Sequence, residues 1–156
     1  MVKIPYPNIA LRQTSIAYIV KRLGLGELEL IWLINGKHTL GYQMDAHNCD
    51  INTVLGAQNM LTVAHAADAA IVLMDKADNF DSGQTQNKEV YAEALARLML
   101  PQWQNPCATL KAQLIAQAHQ RAVSLVLQNQ NEIRLLADLI LSRECLEQDE
   151  LKLIMH

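Results

Sequence analysis

The sequence predicts a mainly α fold with a minor β part, folded as a single domain over residues 1–156. Hydrophobic residues make up 51% of the chain and aromatic residues only 4%, so the core must come from the aliphatic residues and Met that fill helical bundles. Six Gly and four Pro are too few for a β-sandwich with many turns. Apolar residues recur at helical spacing in most segments, and only one stretch carries a hairpin signal. These observations predict a helical bundle with one small β-hairpin.

The chain is predicted to begin with a helix over residues 9–23, followed by the hairpin. Asn8 is a suitable N-cap, and Gly24 is a suitable terminator after two basic residues. The strands are predicted over residues 28–34 and 37–44. The two residues between them are Asn-Gly, which tolerates the positive φ angles of a type I′ turn. Because an isolated hairpin is marginally stable, we expect it to lie against helices.

The rest of the chain is predicted to be helical, with one polar surface loop. Asp50 is expected to cap the first of these helices, which is rich in Ala. A turn bounded by Pro101 and Pro106 separates the middle helices from a long amphipathic one. The predicted helices span residues 52–74, 88–99, 108–130, 132–142 and 148–155, and the loop spans residues 75–87.

Charge and cysteine content narrow the function classes. A formal net charge of −3 and a pI near 5.9 provide no general basic surface, so we expect no nucleic-acid partner. We expect neither a membrane segment nor a secretory signal, because no long uninterrupted apolar run occurs. Cys49, Cys107 and Cys145 form no CxxC pair, which argues against a zinc ribbon and a disulfide framework. A cytoplasmic location with reduced thiols is therefore expected.

Three segments carry a family resemblance. The predicted hairpin contains Leu40-Gly41-Tyr42, and the Ala-rich helix begins with Gly56-Ala57-Gln58-Asn59-Met60-Leu61. The last third of the chain carries the helix pattern Ala118, Ala122, Leu125, Asn129, Ile133, Leu136, Ala137, Leu139, Ile140, Glu144, Leu146, Glu150 and Leu151. In this order the segments resemble the peptidase domain of the FtsH-type ATP-dependent zinc metalloproteases. The resemblance implies a helical FtsH-peptidase-like bundle.

The resemblance also implies a degenerate active site. The family binds zinc through a His-Glu-x-x-His helix, whose Glu is the general base, and through an Asp on a second helix. These positions fall on Arg12, Gln13, Ile16 and Met60 in this sequence. Zinc requires imidazole, thiolate or carboxylate ligands, and its bound water requires a carboxylate base. All three ligands and the base are replaced, so we expect no catalytic residue, no metal and no cofactor.

A residual metal site or another enzyme activity is the second hypothesis. His65 and Asp68 are three residues apart, so they can share a helix face and orient an imidazole. His47 and Cys49 lie close together in a predicted loop. More often such a pair is a polar helix face, and adjacent loop ligands seldom close on one metal. Cys107 precedes a helix, but no base for a thiolate nucleophile is identifiable.

The first hypothesis is therefore a pseudo-peptidase that serves protein binding, assembly or regulation of an ATP-dependent protease. Its expected partners are further copies of itself, as a homo-oligomer, or an intact FtsH-type protease. The alternative is an active zinc-dependent hydrolase with an unrecognised metal site. The third hypothesis is a helical module unrelated to the family.

Overall fold

A computed structural model describes residues 6–34, 37–44, 47–74, 83–143 and 145–155 of the chain, and it confirms the mainly α class. Helices span Tyr6–Arg22 (α1), Val54–Ala64 (α2), Ala66–Ala69 (α3), Thr85–Met99 (α4), Ala108–Gln128 (α5), Gln130–Arg143 (α6) and Gln148–Ile154 (α7), with a 3₁₀ turn at Ala70–Leu73. Strands span Gly26–Ile34 (β1), Lys37–Met44 (β2) and Cys145–Glu147 (β3).

The strands form a small antiparallel sheet in the order β2-β1-β3. β1 and β2, at the positions of the predicted strands, pair from Gly26 opposite Met44 to Ile34 opposite Lys37. The predicted Asn-Gly turn lies outside the described residues, so its type stays a prediction. β3 pairs with the other edge of β1. This third strand is missing from the sequence prediction, because three residues are too few to show a period-two pattern.

Helix α1 ends as predicted but begins earlier. Gly24 has a φ of +66°, and its N–H donates to the Lys21 carbonyl at 3.1 Å. The Leu25 N–H donates to the Val20 carbonyl at 3.0 Å, which completes a Schellman motif. At the other end the helix already includes Tyr6. Asn8 therefore lies inside the first turn, and the prediction that it caps the helix is wrong.

The Ala-rich segment is broken at His65, where one continuous helix was predicted. The His65 N–H donates to the Thr62 carbonyl at 3.0 Å, three residues back, which tightens and ends α2. Short α3 follows, and its buried Ala66 and Ala69 pack in the same apolar cluster as Ala10 and Ala17 of α1. Because these side chains are small, α3 can approach α1 closely.

The other helix boundaries differ from the predictions by a few residues. Thr53, rather than Asp50, caps α2, since its hydroxyl accepts from the Gly56 N–H at 3.0 Å. Asp50 accepts from the Asn52 N–H at 2.9 Å and so stabilises the preceding turn. Helix α4 begins at Thr85, and residues 75–82 of the predicted loop lie outside the described residues. Both Thr and Asp are good caps, and competition between neighbouring caps is decided by packing.

Two apolar clusters form the core. The larger cluster joins α1, α3, α5, α6, β3 and α7 through residues that include Tyr18, Ile19, Leu136, Ile140 and Leu146. The smaller cluster joins α2, α4 and the first half of α5 through Ala57, Leu61, Ala92, Leu95, Ala96, Leu114 and Ala118. The buried apolar residues Ala57 and Leu61 of α2 thus belong to the smaller cluster, and the clustered apolar residues of α1 belong to the larger one.

Candidate functional site

A partly enclosed cleft of about 260 Å³ lies among the first four helices. Helix α1 contributes two lining residues, the α2–α3 segment contributes four, and the start of α4 contributes two. The lining residues are Arg12, Ile16, Met60, Val63, Ala64, Ala67, Gln84 and Tyr91. The cleft therefore has a mostly aliphatic wall, with a guanidinium, an amide and a phenol as its polar groups.

Three of the four residues that the resemblance marks as a degenerate site line this cleft together. Arg12 and Ile16 are four residues apart on α1 and so project from one face of the helix, and Met60 faces them from α2. Gln13, the fourth, is next to Arg12 and only 4% exposed, but it is not among the lining residues. Residues far apart in the sequence are thus brought to one place.

The start of α2 is fixed by an unusually close backbone contact, and this contact positions Met60. A Cβ atom on Gly56 would lie 1.9 Å from the Asp50 carbonyl oxygen, so no larger residue fits. One turn later the buried Asn59 amide donates to the Asn48 carbonyl at 3.0 Å. The two contacts hold the first two turns of α2 against the preceding loop, and Met60 follows directly.

An ion pair and a further cation lie beside the cleft. Lys88, on α4 between Gln84 and Tyr91, forms an ion pair with Asp68 of α3, and both side chains are about four-fifths buried. Burial lowers the pKa of Arg12, and the nearby Asp68 carboxylate opposes that shift. Arg12 therefore keeps its charge at neutral pH, since the ordinary pKa of arginine is far above 7.

His65 lies at the helix break with its ring almost fully buried at 3% exposure. Neither ring nitrogen has a hydrogen-bond partner among the described residues. The ring instead meets the exposed His119 of α5 edge to face, with centroids 5.3 Å apart. Burial lowers the pKa of His65 to about 4, helped by Lys88 and His119 and opposed by Asp68. His65 is therefore neutral at pH 7, and Asp68 pairs with Lys88 rather than orienting the imidazole, which the second hypothesis requires.

The other candidates lie away from the cleft lining. His47 is exposed in the loop before α2, and the Cys49 thiol donates to the Leu25 carbonyl at 3.5 Å. Cys107 is exposed and acts as the N-cap of α5, accepting from the Leu110 N–H at 3.4 Å. In the part of the chain that the structure describes, no three His, Cys, Asp or Glu residues are grouped so that they could hold a metal ion.

The residues that line the cleft do not fit a zinc ion. A guanidinium is a cation with no lone pair to donate, and the side chain of Ile16 has no ligand atom. The thioether of Met60 is a soft ligand that binds zinc poorly beside harder ones. The arrangement can instead bind an organic group, because it combines apolar walls with a positive charge.

Five lining residues are not marked by the sequence, and two of them, Gln84 and Tyr91, come from the N-cap and the second turn of α4. Gln84 precedes the predicted start of that helix, and Tyr91 is an ordinary half-buried aromatic residue on its second turn. Nothing in the local sequence marks either as a site residue. Their position depends on how α4 packs against α2, which is a tertiary contact between the members of the smaller apolar cluster.

Comparison with protein-family models and with curated proteins finds no match to this chain. The helices within the described ranges include none that is both long enough and apolar enough to cross a lipid bilayer.

Proposed function

We propose that this chain is a non-catalytic, peptidase-like domain that serves protein binding, assembly or regulation of an ATP-dependent protease. One observation carries the proposal. Arg12, Ile16 and Met60, the positions at which the resembled family has its three zinc ligands, line a single cleft. A cleft at that place with no metal ligands suits binding without hydrolysis.

The chemistry of the replaced residues supports binding over catalysis. A metallopeptidase needs a bound water of lowered pKa and a carboxylate to take its proton. Gln13 stands at the position of that carboxylate, and an amide has no basic site at neutral pH. A polar residue is nevertheless kept there, which is consistent with a site that has lost its reaction and kept its shape.

Two kinds of protein partner are proposed. In the resembled family the peptidase domains assemble into hexameric rings, so a second copy of this chain is one partner and an intact FtsH-type protease is the other. Large apolar side chains lie exposed on several helices and turns, among them Trp103, Leu135 and Leu153 at 83%, 70% and 75% exposure. Side chains of this kind can make apolar contacts with a partner. Light scattering over a range of protein concentrations separates self-association from a monomer that needs another partner.

The alternative, a zinc hydrolase with an unrecognised metal site, has less support. His65 and Asp68 are its best residues, but the ring of His65 is buried and Asp68 is already paired with Lys88. The described residues hold no third ligand grouped with them.

Metal content and proteolysis test the proposal directly. We expect protein purified without an affinity tag to contain no stoichiometric zinc by mass spectrometry and to leave casein uncleaved. One zinc per chain, together with casein cleavage that a chelator stops, would show that the proposal is wrong and that the alternative is right.

Restoring the ligands tests whether these positions correspond to the zinc site. The triple variant Arg12→His, Ile16→His, Met60→Asp should bind one zinc ion per chain, because it creates two imidazoles one helical turn apart opposite a carboxylate. The matched control is the double variant Arg134→His, Asp138→His, which places two imidazoles at the same spacing on exposed positions of α6. If the triple variant binds zinc no better than this control, the correspondence fails.

A further inference from the structure

The size of the cleft limits what it can hold. Its volume is about 260 Å³, below the roughly 300–1,000 Å³ of pockets that enclose drug-sized ligands. The cleft is also only partly enclosed. It therefore accommodates one group of about the size of an amino-acid residue, while the rest of a longer ligand extends into solvent.

The walls of the cleft select an aliphatic group. Ile16, Met60 and Val63 supply branched and flexible apolar side chains, and Ala64 and Ala67 leave room between them. Met adapts its shape to an inserted group at little cost. An aliphatic side chain that enters this space exchanges water for apolar contacts, which is favourable.

The charges beside the cleft select an anion. Arg12 and Lys88 are two cations, and the Asp68 carboxylate is ion-paired with Lys88. A guanidinium has five donors in a planar fork that matches a carboxylate, so it can bind one in addition to other neighbours. Arg12 is half-buried and partly dehydrated, and a charge-assisted hydrogen bond is stronger where water is partly excluded.

We infer that this cleft binds the C-terminal residue of a protein chain, with its free carboxylate on Arg12 and its aliphatic side chain against Ile16 and Met60. The inference rests on the proposed function and identifies what the binding cleft recognises. Gln84 and Tyr91 can form hydrogen bonds with the last peptide bond of that chain, because an amide and a phenol each donate and accept hydrogen bonds. A chain terminus uses all three features of the site together, namely the cation, the apolar wall and the polar groups of α4.

The test compares two short peptides that differ only at the terminus. The probe is N-acetylated Ala-Leu with a free carboxylate, and its partner is the same peptide as a C-terminal amide. We expect the acid to bind the wild-type chain, measured by NMR titration, at least about tenfold more tightly than the amide, because only the acid forms the charge-assisted pair. Binding of the acid should also weaken as salt is added.

Variants assign the effect to Arg12. Arg12→Gln should weaken binding of the acid about tenfold and leave binding of the amide unchanged. Arg134→Gln, an exposed arginine on α6, is the matched control and should change neither. If Arg12→Gln does not fold, the acid and amide comparison on the wild-type chain still decides the inference.

Three results would overturn the inference. Equal binding of the acid and the amide would mean that the carboxylate is not recognised. Binding of neither peptide would mean that the cleft does not bind chain termini. Binding of free 4-methylpentanoate as tightly as the acid peptide would make the ligand a small carboxylic acid rather than a protein terminus. None of these results bears on zinc content or casein cleavage, so failure here is distinguishable from failure of the proposed function.

Discussion

Two regions that border helix α1 differ in how their polar groups are hydrogen-bonded. At the C-terminal end the Asn48 amide donates to the Gly24 carbonyl at 2.8 Å, and Asn59 in turn donates to the Asn48 carbonyl. Arg22 donates through Nε to the side-chain Oδ1 of Asn129 at 3.0 Å, which joins α1 to the turn between α5 and α6. Here polar groups, of which Asn59 and Asn129 are buried, connect distant segments through well-formed hydrogen bonds.

The second region, which comprises the cleft along the middle of α1 and the helix break at His65, is different. His65 is buried with neither ring nitrogen hydrogen-bonded to a described residue, and Arg12, Asp68 and Lys88 gather three charges at partial burial. Buried polar groups normally have partners, and leaving one without costs free energy. The hydrogen bonds of the first region thus stabilise the fold, whereas the buried ring of His65 gives the second region an energetic cost.

The largest effect is expected in the first region, for Gly56→Ala. The new Cβ would lie 1.9 Å from a backbone oxygen of Asp50, so the start of α2 must move and break the contacts that follow. We expect the free energy of unfolding in urea to fall by about 3 kcal/mol or more.

Gly83→Ala is the matched control for that substitution. Gly83 has a φ of +74°, but a Cβ there meets nothing within 4 Å. Only the backbone strain remains, which costs about 1 kcal/mol. Equal losses for the two variants would mean that the close packing at Gly56 does not exist in solution.

Asn59→Ala is expected to have the next largest effect. Asn59 is 4% exposed and its amide donates to the Asn48 carbonyl, so the substitution leaves that carbonyl without its donor and opens a small cavity. The expected loss is about 2 kcal/mol in urea unfolding. Asn87→Ala removes an exposed amide that donates to Gln84 and should change stability by less than about 0.5 kcal/mol. Similar losses for both would contradict the structural role of the first region.

Sequence patterns predict the first region better than the second. Gly24 after two basic residues is a local stop signal, and the structure confirms it with a positive φ. The end of α4 at Met99 and the start of α5 at Ala108 also follow from local signals, since prolines flank the intervening turn. Each of these features is decided within a few residues.

The second region depends on contacts between distant segments. The Ala-rich sequence around His65 favours a continuous helix, and only packing of α3 on α1 reveals the break. The resemblance marked Arg12, Ile16 and Met60, but no local pattern places Gln84 or Tyr91 beside them. Likewise β3 exists because its three residues pair with β1, more than a hundred positions earlier in the chain.

The pH dependence of stability probes the second region. The unfolded chain protonates His65 near its ordinary value of 6.5, and the folded chain only near a pKa of about 4. Between these values the unfolded state binds more protons, so the free energy of unfolding falls as the pH falls, by up to about 1.4 kcal/mol per pH unit. Above pH 6.5 this contribution to stability is fully present.

His65→Leu should remove this contribution to the acid sensitivity and leave stability at pH 7 unchanged or slightly higher, because a buried ring without hydrogen bonds is replaced by an apolar group. Urea unfolding at several pH values measures both effects. His47→Gln replaces an exposed histidine and should keep the wild-type pH profile. A His65→Leu variant with the wild-type slope between pH 6.5 and 4 would show that His65 is not held neutral by the fold.

The smallest effect is a change of pKa, expected for Lys88→Met, which tests whether α4 shapes the charge of the second region. Met keeps the length of the apolar stem and removes the cation that pairs with Asp68, so a carboxylate that is about four-fifths buried loses that partner. Loss of Lys88 also removes one of the causes that lower the pKa of His65, so that pKa should rise from about 4 in an NMR titration of the ring.

Lys111→Met is the control. It breaks a comparable ion pair with Glu93, at 3.2 Å, and should leave the His65 titration unchanged. A rise with the first variant alone would mean that the electrostatics of the helix break are set by α4, the same helix that supplies Gln84 and Tyr91 to the cleft. If instead neither Lys88→Met nor Lys111→Met changes the pKa of His65, burial rather than the charge of either lysine keeps the imidazole neutral. Helix α4 then contributes to the cleft by its shape rather than by its charge.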